Sequence, residues 1–208
     1  MPAMISVIFI AGFLAAFTLI HLLNPEMSLT TNPLSIYTFG KAGYLLRAGI
    51  IMVGFSEMII SMLLYSRNLV HRLLSLLLFF MGITALITGI LTMDIGPQRT
   101  FQGTIHIYAA GVQFILFPFV SILYGLTGPV NTSLFSNISG ILTISIVPFI
   151  TVSSLIESPI IINIYGLLQK VYILVIVLWL LIISVDFFRH VKRHKTNPTD
   201  SSAKKLPL

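Results

Sequence analysis

Three side chains in this 208-residue sequence carry the groups of a hydrolytic or acyl-transfer site. They are Ser35 in NPLSIYTFG, and Asp94 and His106 in MDIGPQRTFQGTIH. An imidazole can take the proton of a serine hydroxyl while a carboxylate orients the ring. With His21 as a second nitrogen donor, Asp94 and His106 also have the ligand types of a catalytic zinc that keeps one position open. Neither H-E-x-x-H nor G-x-S-x-G occurs, so any such chemistry depends on the fold bringing distant positions together. For Ser35 the bland reading comes first, since loop serines are common, and polar residues at a membrane border are as often simple interfacial anchors.

The elements that would position them follow from composition. The chain is 56% hydrophobic and 9% charged, with mean hydropathy +1.00; a soluble domain carries about 25% charged residues. Apolar runs of about 20 residues recur, each long enough to cross a bilayer as a helix. They are continuous rather than alternating, which excludes a transmembrane β-barrel. The expected fold is all-α, a polytopic transmembrane bundle of six helices. Its spans are expected near Ile5–Leu23, Gly43–Tyr65, Leu73–Met93, Thr104–Gly125, Ser139–Leu155 and Ile164–Phe187. TGPVNTSLFSNISG reads as the connection before the fifth span. The expected division is a six-helix membrane domain over 1–190 and a basic tail over 191–208, polar and without order. The first span has no basic leader and reads as a retained helix. With no cysteine, disulfides and thiolate chemistry are excluded.

Half of the twelve Lys and Arg lie in the tail segment FRHVKRHKTNPTDSSAKKLPL. This placement suits anionic lipid headgroups and gives no support to nucleic-acid binding. With Arg67 and Arg72 added, the side holding both termini carries most of the basic residues. Both termini are therefore expected in the cytoplasm and the chain in the cell membrane.

In that topology ionisable groups gather at the outer helix ends. His21, Glu26, Tyr37, Arg47, Arg99, Thr100 and Lys170 are candidates for holding a lipid headgroup or small ligand, beside Ser35, Asp94 and His106. Glu157 belongs to the same border. In the second span Gly43, Arg47, Gly54, Glu57 and Ser61 share one helix face. Glu57 falls about 15 Å below Arg47, near the bilayer middle, where an unpaired charge is costly. It reads as a structural hydrogen-bonding group or as a point on a proton path of a coupled transporter. His106 and Gln113 share a face of the fourth span, and Thr84, Thr88 and Thr92 form a stripe on the third. Thr100 and Thr104 compete as the cap of the fourth helix.

The motifs around Asn32, Ser35, Tyr37, Gly40 and Gly43, and the run Asp94, Gly96, Thr100, Gly103 and His106, resemble the two signatures of the membrane family called domain of unknown function 998. The resemblance spans nearly the whole chain. It implies a six-helix bundle with a polar outer-face site and supplies no activity; Arg47 and Glu57 lie outside the family pattern. Two readings follow. One is an integral membrane protein whose outer site binds a lipid headgroup or small ligand. The other is an intramembrane lipid hydrolase or transferase using Ser35, Asp94 and His106, with zinc as a conceivable cofactor.

Overall fold

The computed structural model describes the chain except Arg67, Gly96, Pro97 and residues 153–158 and 197–208; for residues 151–152, 159–162 and 191–196 it describes the backbone alone. Its elements are α1 (Pro2–Leu23), a 3-10 segment (Leu34–Phe39), α2 (Gly43–Leu64), α3 (Leu69–Ile90), α4 (Phe101–Thr127), α5 (Val130–Val152) and α6 (Pro159–Thr196). The described residues contain no strand. Six helices are long and apolar enough to cross a membrane. Backbone groups cannot stay unpaired in hydrocarbon, so continuous helices are the form such a sequence takes. The chain is a multi-pass membrane protein with an all-α fold.

Two boundaries depart from expectation. α5 starts at Val130, so most of TGPVNTSLFSNISG is helix and only Gly128 and Pro129 separate α5 from α4. The polar residues there suggested a loop, but they hydrogen-bond inside the bundle. Ser133 Oγ donates to the Gly125 carbonyl, Ser121 Oγ donates to the Ser136 carbonyl at 2.6 Å, and Trp179 Nε1 donates to Ser136 Oγ at 2.9 Å. α6 continues through Thr196, past the expected edge of the tail. The rest of the tail and Glu157 lie outside the described residues.

Small residues set the packing. A Cβ on Gly54 would come within 2.8 Å of the Gly82 carbonyl, and one on Gly82 within 2.8 Å of the Gly54 carbonyl. The α2 and α3 backbones therefore touch at this crossing, as small-residue contacts between membrane helices allow. Below it, Ser61 Oγ donates to the Ser75 carbonyl (2.7 Å) and Ser75 Oγ to the Ser61 carbonyl (2.9 Å). Ser6 Oγ contacts Ser56 Oγ at 2.5 Å and Ser184 Oγ at 2.8 Å, tying α1 to α2 and α6. Such interhelical bonds contribute about 0.6 kcal/mol each on average. The α2 face expected from sequence is the packed one: Gly43, Gly54, Glu57 and Ser61 are all buried.

The connection from α1 to α2 is clamped. Asn24 Nδ2 donates to the Ile20 and Lys41 carbonyls at 2.8 and 3.0 Å, and its Oδ1 accepts from Lys41 N at 2.6 Å. Ala42 then takes the left-handed conformation, φ 56°, to turn the chain into α2. From the opposite side Lys170 Nζ donates to the Leu29 and Asn32 carbonyls at 3.0 and 2.5 Å. The loop is thereby held across one end of the bundle, and the 3-10 segment faces inward through buried Leu34 and Tyr37.

Candidate functional site

Beneath that loop lies a cavity of about 440 Å³, bounded by the 3-10 segment and by residues of every helix. Its volume falls in the range of small-molecule sites, roughly 300–1,000 Å³. Ser35, Arg99, His106 and Gln169 line it. All four come from the loop end: the 3-10 segment, the residue two before α4, the second turn of α4, and the outer part of α6. Further in, the wall is apolar and includes Val53, Phe114, Ile173, Ile176 and Val177. Gln113 is the polar exception, about 10 Å along α4 from His106 at 1.5 Å per residue.

The chemistry of the mouth can be read from which hydrogen bonds are already made. His106 is buried, and its Nδ1 lies 2.8 Å from the Leu91 carbonyl. A carbonyl can only accept, so Nδ1 carries the proton and Nε2 of the neutral ring has the lone pair. Gln169 is 8% exposed, and its Oε1 accepts from Leu34 N at 2.6 Å. That bond fixes the amide, and Nε2 has no partner among the described residues. Arg99 is exposed and forms no ion pair among the described residues. The mouth therefore offers a guanidinium, an amide donor, a hydroxyl and an imidazole lone pair. Ser35 and His106 share this wall, with no hydrogen bond between them.

Asp94 has a different task. Its two carboxylate oxygens accept from Thr100 N at 2.8 Å and Thr100 Oγ1 at 2.7 Å. Thr100 Oγ1 in turn accepts from Gly103 N at 3.0 Å, so Thr100 is the N-cap of α4, the residue favoured over Thr104. A side chain at Gly103 would collide with the Asp94 carboxylate, which accounts for the glycine. The Thr100 hydrogen bonds hold the Asp94 carboxyl below its ordinary range. No hydrogen bond or ion pair joins Asp94 to His106 among the described residues; the Leu91 carbonyl takes the orienting position at His106 Nδ1. Gly96 and Pro97, which follow Asp94 before the turn into α4, lie outside the described residues.

The other border residues stand apart from the cavity. Arg47 donates through Nε to the Gly89 carbonyl at 3.1 Å and through a terminal nitrogen to that of Ile90, capping the negative end of α3. Phe17, His21 and Tyr37 form a stack with 4.5 Å between successive ring centroids, and Lys170 Nζ sits 4.9 Å from the centre of the Tyr37 ring. His21 Nδ1 bonds the Phe17 carbonyl at 2.7 Å. Burial raises the pKa of the Tyr37 phenol, with a smaller push from Glu26, which is itself exposed. His21, Asp94 and His106 do not assemble as a ligand set: among the described residues no three His, Asp or Glu side chains are placed to hold one ion. Asp94 is engaged by Thr100, and His21 belongs to the aromatic stack.

Deeper in the bundle, Glu57 is fully buried; its Oε2 accepts from Gln113 Nε2 at 3.1 Å and its Oε1 has no partner. Gln113 Nε2 also donates to the Met81 carbonyl and contacts Thr84 Oγ1 at 3.3 Å. Glu57 thus reaches the cavity only through Gln113. A second hollow, about 480 Å³, lies at the opposite end beside Asp186, Arg189 and His190. There Asp186 and His190 are 3.7 Å apart and face each other.

A family model described as a protein of unknown function, DUF998, matches residues 7–186. The chain belongs to this family. No curated protein and no solved structure matches it. Within this DUF998 chain the cavity adds two residues to those expected from sequence. Gln169 was overlooked because one glutamine next to a lysine gives no periodic signal. Gln113 was visible only as a face-mate of His106.

Proposed function

We propose that the cavity binds a single-chain amphiphile drawn from the bilayer, its polar head at Ser35, Arg99, His106 and Gln169 and its chain among the apolar residues below. The observation that carries this reading is one continuous cavity joining a donor-rich end to an apolar interior. A guanidinium that forms no ion pair among the described residues, a free amide N–H and a hydroxyl suit an anionic or carbonyl oxygen. Ile107 and Ile115 line the cavity yet remain 43% and 53% exposed, which supports entry from the lipid-facing side. The basic residue count supports a cell-membrane protein with cytoplasmic termini and a tail that meets anionic headgroups. Hexadecanoic acid titrated into the purified protein in nanodiscs tests the reading. Saturable binding weakened at least fivefold by Arg99→Gln is expected, whereas absence of saturable binding rejects it.

A second reading, a lipid hydrolase or transferase, draws support from Ser35 and His106 lining one wall with Nε2 left as the basic nitrogen. In it Ser35 is the nucleophile and His106 the base, with the Leu91 carbonyl in the role first given to Asp94. Covalent labelling by a lipophilic fluorophosphonate, abolished by Ser35→Ala, is the expected result; label retained in that variant excludes Ser35 as the nucleophile.

A further inference from the structure

Gln113 gives the cavity a second polar level. Its amide orientation is fixed, because the Met81 carbonyl can only accept and therefore faces Nε2. With Nε2 also shared between Glu57 Oε2 and Thr84 Oγ1, the donor half is fully engaged. Oε1 accepts no hydrogen bond among the described residues and is not among their sealed, partnerless atoms, which are His21 Nε2, Glu57 Oε1 and His71 Nδ1. Since Gln113 lines the cavity, Oε1 opens into it. Of the residues lining the cavity, Ala110, Phe114, Ile173 and Ile176 have no side chain able to donate.

An acceptor in apolar surroundings discriminates among ligands. A ligand that brings a donor satisfies the carbonyl; one that brings only methylenes strips it of any water and leaves it unpaired. Gln113 cannot turn its NH₂ to the cavity without setting its own carbonyl against that of Met81, which can only accept. The preference is therefore for a donor, with no tolerance gained by flipping the amide.

We propose that the cavity selects amphiphiles bearing a hydroxyl part-way along the chain, which donates to Gln113 Oε1 about 10 Å below the group held at His106. This rests on the amphiphile-binding reading above and names its substrate class. The hydroxyl acts as a donor only, and no bond is made or broken. Depth is part of the specificity. A hydroxyl beside the head or at the chain end misses Oε1, whereas one near the middle meets it.

The test compares hexadecanoic acid with positional isomers of hydroxyhexadecanoic acid on the intact protein in nanodiscs, by displacement of a fluorescent fatty acid. Mid-chain isomers are expected to bind about five- to tenfold more tightly than the unsubstituted acid, the effect of one net hydrogen bond. Isomers substituted next to the carboxyl or at the chain end are expected to gain nothing. Gln113→Met, close in volume, is expected to bring all probes to equal affinity. Equal affinity of all probes for the wild-type protein overturns the selectivity and leaves amphiphile binding standing. Failure of every probe to bind overturns both. Because the wild-type comparison decides the matter, a Gln113 variant that failed to fold would not rescue the proposal.

Discussion

Gly111 gives the sharpest way to separate the cavity from the stability of the bundle. It lies in α4 between Ile107 and Ile115 and lines the cavity, and a Cβ built on it meets nothing within 4 Å. The other cases are different: Gly54, Gly82 and Gly140 all place a Cβ within 3.0 Å of a neighbour. A methyl at Gly111 therefore enters open space and removes the entropic penalty of glycine in a helix, about 0.5–1 kcal/mol. For a chain of this size 1 kcal/mol corresponds to about 2–4 °C, so Gly111→Ala is expected to raise Tm by about 1–4 °C. Gly111→Phe adds seven carbons at the cavity wall, a benzyl group in space the ligand chain would occupy. The bilayer is as apolar as the cavity wall, so the cost to the ligand is steric exclusion rather than lost hydrophobic transfer. Hexadecanoic acid should bind at least tenfold more weakly to this variant, with a Tm no lower than that of the wild-type protein. Thermal unfolding and displacement of a fluorescent fatty acid on one preparation read both quantities. Wild-type affinity in Gly111→Phe, or loss of binding accompanied by a fall in Tm as large as that of a packing glycine such as Gly54→Leu, refutes the reasoning.

Other perturbations probe what holds the mouth in place. Thr100→Ala removes the N-cap of α4 and should cost about 0.5–2 kcal/mol, read as a lower Tm. Asp94 has its pKa lowered by Thr100, so its contribution is present above the ordinary value of 3.8 and fades as pH falls through the lower folded value. The Tm difference between wild type and Asp94→Asn should accordingly be constant near neutrality and vanish in strong acid; a difference that grows on acidification contradicts the Thr100 contact. Lys170→Met releases the carbonyls of Leu29 and Asn32. Amide exchange in residues 24–42 should then rise while exchange within α2 and α3 stays as it was.

The architecture was legible because its signal is cumulative. Runs of apolar residues announce each span whatever neighbours it meets, and the shared face of Gly43, Gly54, Glu57 and Ser61 reports burial through helical period alone. The α5 start was not legible, since serine and asparagine favour turns in water and are equally at home hydrogen-bonding across helices in a membrane. The candidate site divides in the same way. Ser35, Arg99 and His106 were named from residue type and do line one cavity. Asp94 was named with them, but a carboxylate six residues before a threonine can either reach outward or cap a helix, and spacing cannot choose between them. Arg47 and Lys170 posed a similar ambiguity: both serve backbone carbonyls exposed at a helix end or a loop, groups that carry no mark in the sequence. Gln169 acquires meaning only when Leu34 N is folded against it, 135 residues away along the chain.

The most direct test of an amphiphile in the cavity is photo-crosslinking in the native membrane with a hexadecanoic acid carrying a diazirine near the middle of its chain. The cavity reading predicts cross-links to Phe114, Ile173 and Val177, competed by unlabelled acid and lost in Gly111→Phe. Cross-links confined to bilayer-facing residues such as Phe119, Leu142 and Leu178, with no competition, would contradict it.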